Sequence, residues 1–417
     1  MGIQNGERTS SSYAWIVLAV LFVGHIAAFG VRASFGVYIA PWEQDFSIGR
    51  SIVSAISMVS FIVFAVGQPL AGKLNDRIGK GIIPIIGVFL MGGSLVLMSQ
   101  AGQIWQIFLL FGVLFSLGYA ACSSSIAAVI ITHWFVKNRG LAMGIVMAGL
   151  AVGQLILVPA SLLMVEQVGW RSTVTILGLL TIVIVGVLFI IFVRSRPEEK
   201  GLKPYGYDGP ADDILPEKER ELPVLSILKL PIFWQISIPY FICGFTDSGI
   251  VQTHLIPIAD GKGLSLSIVA IAFVLIAIAN IAGTILTGHL SDHFSRTKQL
   301  AIIYIVRALT FVMLIALHQP WVFLFFAVVY GFVEMASIAP TNSLTVQIFD
   351  GYSRGVILGL IVVSHHIGGA VGSWIPGLLY DLTGSYNSIL ILSIVMLLIG
   401  SLVALKTPEN SGKLQFQ

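Results

Sequence analysis

The sequence predicts an all-α membrane protein, with twelve transmembrane helices in two pseudo-symmetric six-helix bundles. Three observations carry that expectation. Of 417 residues 56% are hydrophobic and only 10% charged, against about 25% charged in ordinary soluble domains. Apolar runs of about 20 residues, the length that crosses a hydrocarbon layer of about 30 Å, recur between short polar breaks. Several motifs return in the second half of the chain at a nearly constant offset.

The first polar dozen residues, "MGIQNGERTSSS", lead into an apolar run too long for a signal-peptide core. Met1-Gly2 resembles the start of a myristoylation signal, which so many spans would make redundant. The spans are expected near 13–39, 51–72, 82–99, 104–132, 140–165, 172–194, 230–258, 266–287, 299–317, 320–347, 355–379 and 386–405. Between the sixth and seventh lies a Pro-, Gly- and charge-rich stretch, 195–229, expected to link an N-terminal bundle (1–194) to a C-terminal one (230–417). Eighteen of the 23 Lys and Arg fall on one side of this topology and three (Arg50, Arg171, Lys262) on the other. Positive charge stays inside, so both termini are expected in the cytoplasm, with the protein in the cell inner (plasma) membrane. Arg32 and Arg307 alone fall within spans. Cys122 and Cys243 sit in apolar runs without ligand spacing and read as packing residues.

The repeat is written in spacing. "GKLNDRIGKG" begins at Gly72 with Asp76 four residues on, and "GHLSDHFSRTK" begins at Gly288 with Asp292 four on, an offset of 216. "RGLAMG" at Arg139 returns as "RGVILG" at Arg354, while Gly153 and Pro159 return as Gly368 and Pro376, offsets of 215 to 217. Six helices followed by six alike form a parallel repeat of the kind secondary transporters use. Gly72 suits a close approach of two helices, Asp76 and Asp292 accept hydrogen bonds, and Arg77 and Lys80 hold a turn at the inner surface. With Arg139 and Arg354 these are candidate gating residues; the alternative for Arg77 and Lys80 is a tight turn with positive-inside charge.

The pattern G-x-x-x-D-R-x-G over Gly72–Gly79, with the twelve spans, resembles the major facilitator superfamily. Within it, "HWFVKNRGLAMGIVMAGLAVGQLILVP" (His133–Pro159), "PGLLYDLTGSYN" (Pro376–Asn387) and "RASFGVY" (Arg32–Tyr38) resemble the monocarboxylate transporters and their oxalate/formate relatives. That resemblance implies alternating access to a small organic anion, often with a proton. Two positions depart from the group: Ala33 stands where its first-helix lysine is common, with Arg32 one residue earlier, and Asn280 and Thr284 stand where it has an Asp and an Arg four apart. The second departure argues against simple lactate-like substrates. The resemblance also places the first, fourth, seventh and tenth helices around a central path.

Charge within a bilayer is costly and needs a partner or a cavity. Asp247 is expected about 16 Å from the outer end of its helix and Arg32 about 10 Å from its own. Arg32 is expected to bind the anion, the alternative being a static bridge to Asp247. Asp247 and Glu334 are candidates for proton coupling. Arg307 is expected to pair with Glu334 or another acceptor and hold the ninth helix to the tenth. Tyr119, Asn280, Tyr330 and His365 are candidate substrate-binding residues. The run Ser123–Ser125 reads rather as close helix packing. His365 and His366 cannot share a helix face, and His25 and His254 read as satisfied interhelical histidines.

No catalytic, nucleotide-binding or metal-site motif stands out, and no cofactor, enzyme activity or nucleic-acid partner is expected. The expected function is secondary transport of a small organic anion by a monomer in the lipid bilayer, coupled to protons. Transport of another class, such as drug or siderophore export, and nutrient sensing without transport stay open beside it.

Overall fold

The computed structural model describes residues 2–79, 81–207, 223–317, 319–349, 352 and 354–409. The side chains of residues 2–11, Asp76, Asp292 and Arg354 lie outside the described residues, and with them three of the candidate gating groups.

Helix α1 runs over Gly2–Ala33, passes through a 3-10 turn at Ser34–Tyr38, and resumes over Ile39–Phe46. It is longer than its apolar pattern suggested, so Arg32 lies about 20 Å from the far end and well into the span, a correction to its expected shallow position. Next come α2 (Arg50–Ile78) and α3 (Ile82–Met98). Helix α4 extends over Ile104–Trp134 and breaks at Cys122–Ser123. The stretch Arg139–Phe192 bends at Gly169, whose φ of 79° and ψ of 163° no helix can hold. It therefore contains two spans, α5 (139–168) and α6 (170–192).

Helix α7 comprises Pro231–Gly244, a π-helical turn at Phe245–Val251, and Gln252–Gly261. It is followed by α8 (Leu266–His293) and α9 (Arg296–Ile315). Helix α10 was expected unbroken; instead Pro320–Glu334 stops and Ile338–Ile348 restarts. Finally come α11 (Arg354–Thr383) and α12 (Asn387–Lys406).

Nine described stretches are long and apolar enough to cross a bilayer. The Gly169 bend makes one of them two, and α3 is an apolar helix only slightly shorter, at 17 residues. Helix α7 is diluted by Thr246, Asp247, Ser248, Gln252, Thr253 and His254, all buried. Together they give the twelve spans. Side chains such as Leu382 (73% exposed) and Ile285 (69%) would be intolerable at this density in water and are at home in lipid.

The chain divides into two compact units, residues 1–38 with 62–216 and residues 39–61 with 217–417. What the expected division at the linker did not include is that the end of α1 and the first half of α2 group with the second unit. Their attachment is chemical: Asp381 of α11 accepts hydrogen bonds from the Arg50 and Ser51 amides at 2.9 and 2.8 Å, capping the start of α2. In the first unit, the opening of the linker is not free. Tyr205 receives the Val136 amide at 2.9 Å and gives its own to the Trp134 carbonyl at 2.8 Å, docking the linker on the α4–α5 connection. Residues 208–222 lie outside the described residues.

Packing repeats the duplication. Helix α5 crosses α1 where a Cβ on Gly153 would strike the Ile26 carbonyl; α11 crosses α7 where one on Gly368 would strike that of Phe241. Both members of the pair are displaced by the same 215 residues. Helices in lipid gain from such close approach because no hydrophobic effect drives them together. A Gly368→Ala side chain meets main chain, which cannot rotate away, and costs about 1–3 kcal/mol. Gly72, Gly140, Gly144, Gly288, Gly355 and Gly359 behave differently: no described atom lies within 4 Å of a Cβ built there. No described helix approaches Gly72 closely in this conformation. The motif from Gly72 onward is also not a loop but the last turns of α2, and the chain turns only at Gly79 and Gly81, both with positive φ.

Candidate functional site

In the second unit a polar cluster occupies the middle of α7, α8, α9 and α10. Asp247 lies on the π-helical turn of α7, a geometry that opens one extra residue into the helix and often marks functional positions. The helix continues to Gly261, so Asp247 sits about 21 Å from that end rather than 16 Å. Its Oδ1 accepts the Tyr330 hydroxyl at 2.8 Å. Tyr330 in turn stacks on Phe326, with ring centroids 5.3 Å apart, which fixes the direction of its O–H bond.

Arg307, on α9, is fully buried. Its Nη2 donates to the Val333 and Glu334 carbonyls, both at 2.6 Å, and its Nη1 to the Cys243 sulfur at 3.0 Å. Those carbonyls end the first segment of α10, where no further turn supplies N–H groups. The arginine thus caps a helix end inside the membrane, with the main chain rather than the Glu334 carboxylate as its acceptor. It also lies 5.9 Å from the Tyr330 ring centroid. Glu334 Oε2 instead receives the Asn280 amide at 2.5 Å, and Asn280 Oδ1 accepts the Thr284 hydroxyl at 3.1 Å. The two residues that depart from the monocarboxylate pattern are therefore bonded to each other, and Asn280 also to the buried acid of α10. His365 packs edge-on against Tyr240 at 4.7 Å, leaving Nδ1 without a described partner.

In the first unit Arg32 is 3% exposed. Its guanidinium carbon lies 5.7 Å from the Phe35 ring centroid, and the Tyr119 phenol is near enough to interact with it electrostatically. Tyr119 is stacked on Phe64 at 4.3 Å. One turn beyond Tyr119, Ser123 stands at the α4 break. Ser123 and His25 line the same small cavity, and Ser123 Oγ and His25 Nε2 have no described hydrogen-bond partner. The other His25 nitrogen donates to the Leu21 carbonyl at 2.9 Å, so Nε2 is an acceptor in the neutral ring. The expectation of a satisfied His25 is thus half met.

Of the remaining gating candidates, Arg77 is exposed on the last turn of α2. Arg139 bonds the Phe135 carbonyl through Nε and that of Thr132 through Nη2 at 3.2 Å, closing the C-terminal end of α4.

A second cluster, at the start of α2, has no signature in the sequence pattern. Arg50 binds both oxygens of Glu43 (2.6 and 2.9 Å), lies 3.9 Å from the Tyr380 ring centroid, and donates to Tyr386 Oη at 3.2 Å. Tyr386 Oη is 3.0 Å from His254 Nδ1, and His254 Nε2 donates to the Ser373 carbonyl at 2.7 Å. A carbonyl only accepts, so the neutral ring carries its proton on Nε2 and Tyr386 donates to Nδ1. His254 is accordingly satisfied, and burial raises the Tyr386 phenol pKa despite the neighbouring Arg50. Among the described residues no three His, Cys, Asp or Glu side chains gather as a metal site.

A chain with this fold and these buried polar clusters bears comparison with known proteins. The sequence profile of the Major Facilitator Superfamily matches residues 21–318 and 255–416. The chain belongs to the Major Facilitator Superfamily. An uncharacterized MFS-type transporter, YcxA of Bacillus subtilis, is 26% identical over 95% of this chain and 96% of its own length. Monocarboxylate transporter 12-B of Danio rerio is 24% identical over 94% of this chain and 86% of its own length, and human monocarboxylate transporter 12 is 24% identical over 93% and 80%. A bacterial homolog of the human lysosomal transporter Spinster, solved in an inward-facing and occupied conformation, shares the superfamily fold. Its TM-score is 0.75 at 18% identity, covering 94% of this chain and 96% of that one. The protein is a multi-pass membrane transporter of this superfamily.

Proposed function

We propose that this chain moves a small, monocarboxylate-like organic anion together with a proton, by alternating access, across the cell inner membrane, with both termini in the cytoplasm. The observation that carries the reading is Arg32: a permanent guanidinium buried in the first unit beside Tyr119. A planar cation with several donors suits a carboxylate, and Tyr119 adds a hydroxyl donor. The monocarboxylate transporters among the relatives support the same substrate class.

In this proposal Asp247 carries the proton. Ionised, it only accepts, as from the Tyr330 hydroxyl; protonated, it also offers a hydrogen of its own, which needs an acceptor and so rearranges its neighbours. The Asn280–Glu334 pair is a second place where protonation would rearrange helices, here α8 against α10. His365 Nδ1 is a further substrate contact. Gly72, Asp76, Arg77, Arg139, Asp292 and Arg354 remain the proposed gate, with the protein acting as a monomer. A second reading, transport of a different substrate class, is favoured by one observation: Asn280 and Thr284 bond each other, so no cation stands there to meet a carboxylate.

Uptake into proteoliposomes, with a panel of small carboxylates, tests both. Arg32→Ala should abolish uptake of the anion while the protein still folds and inserts, and undiminished uptake removes Arg32 from the site. Asp247→Asn should lose accumulation driven by a pH gradient yet keep counterflow exchange; an unaltered pH response rejects its proton role. A panel in which no carboxylate is carried leaves the second reading.

A further inference from the structure

We propose that Arg296, Asn342, Ser343 and Gln347 form a binding site for a small carboxylate, at the end of the second unit where α9 begins. These residues, with Val346, line a cavity of about 580 Å³, inside the range of about 300–1,000 Å³ typical of small-molecule sites. The four α10 residues sit at i, i+1, i+4 and i+5, so one helix face presents them together. They extend along about 7.5 Å of the axis, a length suited to a small molecule.

The donors are set for an anion. Arg296 Nη1 donates to Gln347 Oε1 at 2.7 Å, which fixes the plane of the guanidinium. That bond leaves most of the five N–H groups of the guanidinium, which lines the cavity, for other acceptors. Asn342 and Ser343 are half-buried in the cavity wall and make no hydrogen bond to a described group. A guanidinium, an amide and a hydroxyl around one space match a carboxylate better than a cation, and Val346 gives the anion's carbon an apolar contact.

One group competes. The Glu409 carboxylate is close enough to feel the Arg296 charge, and it is already engaged by Ser295 Oγ (2.6 Å) and by the amide and hydroxyl of Thr297 (both 2.8 Å). An anion in the cavity shares Arg296 with it. Removing the Glu409 charge should therefore strengthen binding, an effect that a merely hydrated cleft would not produce. The site depends neither on Arg32 nor on transport, so either can fail alone.

The test is protection of a cysteine. Val346→Cys, in nanodiscs of neutral phosphatidylcholine, is labelled with N-ethylmaleimide; native Cys122 and Cys243 are buried. Acetate should slow labelling of Val346→Cys, and uncharged acetamide should not. Adding Arg296→Gln should raise the protecting acetate concentration about ten- to hundred-fold, the worth of one hydrogen bond to a charged group. Adding Glu409→Gln should lower it. Equal protection by acetamide, no protection by acetate, or protection that appears only in nanodiscs containing phosphatidylglycerol would each overturn the proposal, the last by assigning the cavity to a lipid headgroup. Should Val346→Cys not fold, the acetate-dependent thermal shift of Arg32→Gln protein serves instead. It should persist there and vanish when Arg296→Gln is added; a shift that ignores Arg296 overturns the site.

Discussion

Replacing Arg307 with methionine asks how much a buried cation does for a broken helix. Methionine fills much of the same volume and donates nothing. The Val333 and Glu334 carbonyls, each held at 2.6 Å, lose their donor, and the Cys243 sulfur loses a third bond at 3.0 Å. An orphaned buried acceptor costs about 1–3 kcal/mol, so two carbonyls set a gross loss of about 2–6 kcal/mol. Two effects reduce it. Removing a buried cation returns part of its desolvation cost, and hydrogen bonds between membrane helices average only about 0.6 kcal/mol because neighbours adjust. The net expectation is a destabilisation of about 1–4 kcal/mol. At about 2–4 °C per kcal/mol for a unit of this size, the melting temperature in detergent should fall by about 2–16 °C. Arg307→Lys should lie between, because one ammonium can still reach a carbonyl but lacks the fork that spans two. The measurement is intrinsic-fluorescence melting of the purified protein. Melting of Arg307→Met at the parent temperature would refute the capping argument outright.

Three other outcomes can be checked alongside. Tyr330→Phe deletes only the 2.8 Å bond to Asp247; it should lower stability by about 1–3 kcal/mol in the same melting assay, the cost of leaving a buried acceptor without its donor. Asp381→Ala removes the acceptor of two amides at the start of α2 and should cost about 0.5–2 kcal/mol, as lost N-caps do, with Asp381→Asn milder. Glu409 gives a pH signature. Burial works to raise its pKa, but the bonds from Ser295 and Thr297 and the nearby Arg296 outweigh it and hold the carboxyl below its ordinary range. A depressed carboxylate pKa stabilises the folded tail contact above the unfolded value, and the contribution is lost as pH falls through the folded one. Proteolysis of the C-terminal tail should therefore be steady near neutrality and accelerate only in acid, whereas Glu409→Gln should be cut with little dependence on pH.

What the sequence disclosed was periodicity and surplus. Apolar runs located the twelve spans because lipid exposure demands them, and the shared offset of Gly153 and Gly368, legible only as spacing, belongs to matching helix crossings that leave no room for a side chain. Helix ends were less legible. The polar residues of α7 are buried and do not stop it, and α1 continues past its apolar run into a partly exposed turn with Gln44 and Asp45, so Arg32 and Asp247 lie deeper than their apolar runs implied. Partnerships were least legible of all. Glu334 and Arg307 looked like a charge pair, but a helix end three residues long can outbid a carboxylate for a guanidinium, and no pattern marked that end. The Arg50 cluster joins residues more than 300 apart, a separation that one-dimensional spacing cannot encode.

The helix breaks carry the duplication further than the motifs do. Helix α4 stops at Ala121 and restarts at Ser124; α10 stops at Glu334 and restarts at Ile338, at displacements of 213 and 214 residues. Both repeats thus interrupt the same helix at matching positions in the sequence, yet they treat the broken end differently. The second unit gives it a buried arginine. The first gives it Ser123, whose position is that of an N-cap but whose side chain makes no capping bond. An engaged N-cap serine is worth about 0.5–2 kcal/mol, and one that bonds nothing in the protein has little of that to lose. Ser123→Ala should therefore change stability by less than about 0.5 kcal/mol, the range of substitutions that touch no special feature. The same melting experiment decides it beside Arg307→Met. A loss above 1 kcal/mol for Ser123→Ala would mean that its hydroxyl has a partner after all, and that the two breaks are held equally firmly.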